Sequence, residues 1–115
     1  MNDLKSTISY NDFAKLDFRV GTVVQAKDVE ESEKLIKLSV DFGEEIGSRT
    51  IFAGIKGWYS PEDLVGKQTV FLVNLEPKPM PGGESQGMLF AADGEDDKPE
   101  LISFEGKMDN GASLL

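Results

Sequence analysis

The sequence predicts an all-β fold, a small closed barrel. Two observations carry this: five or six short segments in which apolar residues recur at a period of two, and one helical turn set between the third and fourth of them. No repeat or low-complexity tract interrupts the series, and 115 residues supply material for one core, so a single domain over residues 1–115 is expected. A β-sandwich is the alternative arrangement of the same strands.

Each element has its own reason. Ser9 to Leu16 reads as a short helix that Ser9 or Asn11 can cap, with Phe13 and Leu16 three apart on one face that must dock on something. From Asp17 the period becomes two: Phe18, Val20, Thr22 and Val24 alternate with Arg19, Gly21, Val23 and Gln25, and the glycine suggests a bend or bulge. Asp28 to Lys34 is a charged surface turn. Leu35 to Phe42 is the second strand, with Ile36, Leu38, Val40 and Phe42 as its apolar positions, the first two assigned to separate phases. Residues 43–47 form a hairpin loop and Arg49 to Ala53 a third strand. Ser60-Pro61-Glu62-Asp63-Leu64 has the serine, proline and acids of a helix start, and Gly66 ends it. Lys67 to Leu75 is nearly continuous in apolar character and is expected to be central. Glu76 to Glu84, with three prolines in five residues, is expected to be an exposed loop rather than strand. Gly87 to Ala92 and Leu101 to Phe104 are the last strands, separated by an acidic turn and followed by a loop-rich tail. This order of strands and turn is that of an OB-type Greek-key barrel of five strands, with a short N-terminal helix and a C-terminal extension.

Composition excludes much chemistry. The chain has no cysteine and no histidine, which removes disulfides, thiolate nucleophiles, imidazole bases and the usual zinc ligand sets. Adjacent acids at Glu30-Glu31, Glu44-Glu45 and Asp96-Asp97 read as solvated turns rather than catalytic pairs. Asp93, Glu95 and Asp97 have the spacing of the first ligands of a calcium loop, but Lys98 stands where glycine is needed and Phe104 where glutamate is needed. Gly82, Gly83 and Gly87 match neither a Walker loop nor a dinucleotide fingerprint, so no cofactor is expected. No apolar run approaches the roughly 20 residues of a membrane span, and the N-terminal residues lack the pattern of a signal peptide, so a cytoplasmic protein without membrane partners is expected.

The formal net charge of −9 argues against a nucleic-acid partner, but the charge is unevenly placed. Residues 1–92 carry 10 basic and 14 acidic side chains, net −4; residues 93–115 carry 2 and 7, net −5. Exposed charges more than about 10 Å apart are largely screened at 0.1 M salt, so a locally basic face can coexist with an acidic edge.

The segment from Asn74 to Leu89 holds polar and amphipathic groups beside a proline-stiffened loop. The run Asp12-Phe13-Ala14-Lys15-Leu16-Asp17-Phe18-Arg19-Val20-Gly21 resembles the opening of a tRNA-binding domain. So do Glu33 to Gly43, Arg49 to Ile55, Tyr59 to Lys67, Asn74-Leu75 and Glu84-Ser85-Gln86-Gly87-Met88-Leu89. That domain occurs at the C-terminus of methionyl-tRNA synthetases, in stand-alone tRNA-binding proteins and in CsaA-type chaperones. The resemblance runs from about Tyr10 to the end. It implies an OB barrel whose terminal additions form a homodimer, with tRNA recognised by shape beside an aminoacyl-tRNA synthetase, most of all the methionyl enzyme, and with no catalytic site of its own. It places Ser85 and Met88 on the family's Ser-x-Gly-Met element at the binding surface, Asn74 and Lys78 nearby, and Lys34 on the basic position that opens the second strand. Arg19 and Arg49 are expected to be barrel arginines paired with neighbouring acids. Pro79, Met80 and Pro81 stand where relatives carry further basic residues, which implies fewer phosphate contacts. A CsaA-like chaperone that binds unfolded polypeptide is the alternative.

Overall fold

The computed structural model describes residues 3–114. Its main sheet contains β1 (Phe18–Asp28), β2 (Ile36–Asp41), β3 (Ser48–Ala53), β4 (Gln68–Leu72) and β7 (Met88–Leu89) in the order β3-β2-β1-β4-β7, all neighbours antiparallel. The expected five-strand OB-like barrel is therefore present. Helix α1 (Tyr10–Ala14) precedes the barrel, and the short helix α2 (Pro61–Leu64) lies between β3 and β4. The remaining strands form two small ribbons: β5 (Lys78–Met80) with β6 (Gly83–Ser85), and β8 (Ala91–Asp93) with β9 (Pro99–Leu101).

Eleven residues make β1 the spine. Phe18 to Thr22 pair with β4, and Thr22 to Asp28 pair with β2, so the strand turns from one half of the barrel to the other. The turn is made by a bulge between Val23 and Gln25. Gly21 and Val23 share the barrel interior and Val24 is exposed, opposite to the phase expected of β1, and the bulge then shifts that phase so that Ala26 rather than Gln25 packs against the core. Gly21 serves another purpose. A Cβ there would lie 2.5 Å from Val40 Cγ1 and 2.7 Å from Phe42 Cε1, so its absence makes room for the two side chains that fill the barrel against Phe71. Ile36, Leu38, Val40 and Phe42 all face the interior, which corrects the separate phases assigned to the first two; β2 is simply regular.

The barrel closes between β3 and the segment entering β7. Gln86 N–H donates to Thr50 O at 2.8 Å, Gln86 Oε1 accepts from Thr50 N–H at 2.8 Å, and Arg49 donates to the carbonyls of Val73 and Gln86. β4 has a neighbour on each side, as its apolar run requires. At α2, Asp63 Oδ2 accepts from the N–H and hydroxyl of Ser60 at 3.1 and 2.9 Å, and Leu64 is inserted into the core.

Two boundaries differ from expectation. The proline-rich stretch is not wholly loop: Lys78 to Met80 pairs with Gly83 to Ser85 around Pro81-Gly82. Proline is tolerated because a two-stranded ribbon has open edges that need no donor. The last strand spans Pro99 to Leu101 rather than extending to Phe104. Beyond it, the tail returns to β1: Val20 N–H donates to Ala112 O, Gly111 N–H to Val20 O, and Leu114 N–H to Phe18 O.

Candidate nucleic-acid interface

The Ser85-Gln86-Gly87-Met88 segment is a latch followed by an exposed side chain. Ser85 is 6% exposed; its hydroxyl accepts from Phe52 N–H at 3.0 Å and donates to Gly87 O at 3.0 Å. Both its polar functions are thereby used inside the protein, so Ser85 holds the β6 end onto β3 rather than presenting a hydroxyl to solvent. Gly87 is required by close approach: a Cβ would stand 2.8 Å from Leu72 O and 3.2 Å from Ile51 Cδ1. With these residues fixed, β7 begins at Met88, opposite Leu72, with its side chain 47% exposed. A thioether held out of a barrel on a rigid strand is an amphipathic contact for a base or sugar.

Asn74 lies two residues beyond Leu72. Its amide is also engaged: Oδ1 accepts from Asp17 N–H at 2.9 Å and Nδ2 donates to Lys15 O at 2.6 Å, tying the end of α1 to the barrel. It borders a cleft of about 400 Å³ with Arg49, Leu75 and Gln86. Lys78 pairs in register with Ser85 across the β5–β6 ribbon and is exposed. Lys34 is exposed two residues before Ile36, whose strand partner is Ala53, and its carbonyl accepts from Lys56 N–H. It therefore marks the end of β2–β3 where Ser85 binds Phe52. The structure joins Lys78 to Ser85 as ribbon partners, with Met88 three residues beyond Ser85, and sets Asn74 in one cleft with Gln86. No cleft gathers all five among the described residues.

The two arginines divide. Arg19 lies beside Asp17, with Nε to Oδ1 at 2.7 Å, and also donates to Gly111 O at 3.0 Å; the Asp17 hydrogen bond raises its pKa further. Among the described residues Arg49 pairs with no acid and instead binds the carbonyls that close the barrel.

Sequence reasoning missed the outer face of β1–β2–β3. There Gln25 stands opposite Ser39, Lys27 opposite Lys37, and Ser39 opposite Thr50. These residues, with Val24 and Val65, border an open cleft of about 560 Å³. The polar half of the alternation in β2 was the available signal, but the bulge in β1 concealed which of its residues share that face.

A five-strand barrel of this topology is of the OB class, whose members include small nucleic-acid-binding domains. Residues 18–113 match the family model described as "Putative tRNA binding domain", and the chain belongs to that family. It is 48% identical over 105 residues to a methionine–tRNA ligase of Paraburkholderia xenovorans, covering 91% of this chain and 15% of that protein. The chain thus spans about 15% of the length of such curated relatives. Among solved structures it is similar to a MetRS-related protein from Pyrococcus horikoshii, with TM-score 0.87 and 42% identity over 96% of this chain and 100% of that one. It is also similar to the chaperone CsaA of Bacillus anthracis, with TM-score 0.85 and 33% identity over 96% and 100% of the respective chains.

Proposed function

We propose that the chain is a homodimeric, structure-specific tRNA-binding protein that performs no bond chemistry and acts alongside an aminoacyl-tRNA synthetase, the methionyl enzyme being the partner. The observation that carries this reading is the latch: buried Ser85 and close-packed Gly87 fix an exposed Met88 three residues beyond Ser85, whose ribbon partner is the exposed Lys78. In this reading Lys34 and Lys78 attract phosphate, and Met88 packs on a base or sugar. Asn74 and Ser85 position the surface without needing to touch RNA. The methionine–tRNA ligases among the relatives support the choice of partner, and a cytoplasmic location follows from that role.

A gel-shift titration with bulk tRNA at two salt concentrations tests it. Binding at low salt that weakens as salt rises is expected, because released counterions drive phosphate binding. Absence of binding at low salt overturns the reading.

The likeness to CsaA supports a second reading, an unfolded-polypeptide chaperone. Trp58, Val65 and Val24 are large apolar groups exposed on the barrel that such a client could cover. Suppression of aggregation of a denatured client, unaffected by added tRNA, favours this reading over the first.

A further inference from the structure

We infer that the free edge of β9, continued to Phe104, accepts an added strand, an extended acidic segment of another polypeptide whose carboxylates pair with Lys67, Lys98 and Lys107. This surface is separate from the Met88 latch, and the inference goes beyond the tRNA-binding reading without resting on it.

Among the described residues β9 pairs with β8 alone. A cleft of about 570 Å³ is bordered by Glu100, Leu101 and the chain after them but by no residue of β8, so it lies on the free side of the strand. Lys98 O accepts from Gly94 N–H at 2.9 Å, which turns the backbone groups of Lys98 and Glu100 toward β8 and those of Leu101 and Ser103 away from it. Ile102 to Phe104 run on from β9 without a turn or bend, and their sequence favours a strand, yet the pairing stops at Leu101. Among the described residues no hydrogen bond is made by the backbone from Ser103 to Lys107; Met108, bonded to the Gln68 side chain, is the next anchored residue. The edge is nonetheless held on the barrel. Tyr59 donates its hydroxyl to Pro99 O at 2.7 Å, and Lys98 Nζ lies 5.6 Å from the centroid of the Tyr59 ring. An unpaired strand edge fixed on a rigid support is a template for a further strand.

Charge chooses the occupant. Residues 93–115 hold seven acids and two lysines, and both lysines, Lys98 and Lys107, border this cleft together with Lys67, which precedes β4. Glu100 is the one acid on its lining; it lies 3.9 Å from Lys98, an exposed pair that holds the lysine weakly. Lys67 is drawn also toward Asp63. Three cations against one carboxylate leave the cleft positive on an acidic molecule. Beyond its lining stand Asp93, Glu95, Asp96 and Asp97 on the β8–β9 ribbon and Glu105 in the chain that follows. They repel a continuous line of phosphates. A polypeptide needs carboxylates only where the lysines stand, and its own backbone supplies both the acceptors and the donors that the N–H and carbonyl groups of Leu101 and Ser103 require. The exposed Ile102 gives the added strand an apolar contact between the charges.

The test titrates the full chain into a fluorescein-labelled octapeptide of alternating Glu and Val, read by anisotropy, with an alternating Lys–Val octapeptide as the opposite-charge probe. Saturable binding of the acidic peptide alone is expected. K98Q/K107Q should bind it about tenfold more weakly, while K5Q/K27Q, a control of equal charge outside the cleft, should bind as wild type does. Ser103→Pro removes an edge donor that no internal hydrogen bond uses, and should weaken binding with the circular dichroism unchanged. Amide hydrogen exchange on the wild-type chain gives a second reading that needs no variant: the N–H groups of Leu101 and Ser103 should slow when the acidic peptide is bound. No binding of the acidic peptide, equal binding of the basic one, or binding that leaves those two amides unprotected overturns the inference. Displacement of the peptide by an oligouridylate of equal charge, with a loss in K98Q/K107Q equal to that for the peptide, overturns the assignment to a polypeptide in favour of RNA.

Discussion

Thr69 is 1% exposed and its hydroxyl has no hydrogen-bond partner among the described residues, an unusual condition for a buried polar group. Removing the hydroxyl while keeping the shape should help: Thr69→Val is expected to stabilise the fold by about 1 kcal/mol, read as a higher denaturation midpoint. Ser85 is the opposite case. Ser85→Ala leaves Phe52 N–H buried without its acceptor and is expected to cost about 1–3 kcal/mol of stability. If Ser85 positions the surface and touches no RNA, the salt slope of tRNA binding should match wild type at temperatures where the variant is folded. A slope reduced as by loss of a phosphate contact refutes the positioning role. Gly87→Ala combines both effects, since its Cβ must displace Leu72 O or Ile51 and thereby β7. A loss of about 1–3 kcal/mol is expected, with weaker tRNA binding because Met88 moves with the strand.

At the scale of elements, α2 responds to acid. Asp63 accepts two hydrogen bonds from Ser60, first its backbone N–H and then its hydroxyl, and these lower its pKa below the ordinary value of 3.8. A depressed carboxyl contributes stability above the unfolded-state value and loses it as pH falls through the folded one. Denaturation midpoints measured downward from pH 5 should therefore fall less steeply in Asp63→Asn than in wild type, with the two converging below the depressed value; parallel curves count against this linkage. The same element shows what was legible beforehand. Its serine, proline and acids are local signals, and so are the period-two runs of β2 and β3. The phase of β1 was not legible past Val23, because a bulge is fixed by pairing with β2 and leaves no mark in the strand's own alternation. The β5–β6 ribbon was hidden for a related reason: proline excludes a central strand, but whether a segment is central depends on partners far along the chain. For the site, the sequence located the Ser-x-Gly-Met segment but not the division of labour within it. Only tertiary contact shows that Ser85 is buried and Met88 exposed.

For the whole molecule, the unfinished surface lies around the N-terminus. Leu4 is fully exposed, Ile8, Tyr10, Phe13 and Leu16 are all substantially exposed, and α1 buries no residue. Asn74 binds the end of α1 to the barrel beside the exposed Leu75, while the tail that carries the exposed Leu114 is bonded to Phe18. These bonds gather the apolar groups on one side, where a second copy can cover them isologously. Each copy carries a formal net charge of −9, so salt acts in opposite senses on the two associations. Screening the self-repulsion should tighten an apolar dimer, whereas the same salt weakens tRNA binding by reducing counterion release. Sedimentation equilibrium at micromolar concentration should give the mass of two chains, with a dissociation constant that falls as salt rises. Phe13→Glu/Leu16→Glu should give the mass of one chain with the β-sheet circular dichroism unchanged, because neither residue belongs to the barrel core. A wild-type mass of one chain across the whole salt range would overturn the dimer.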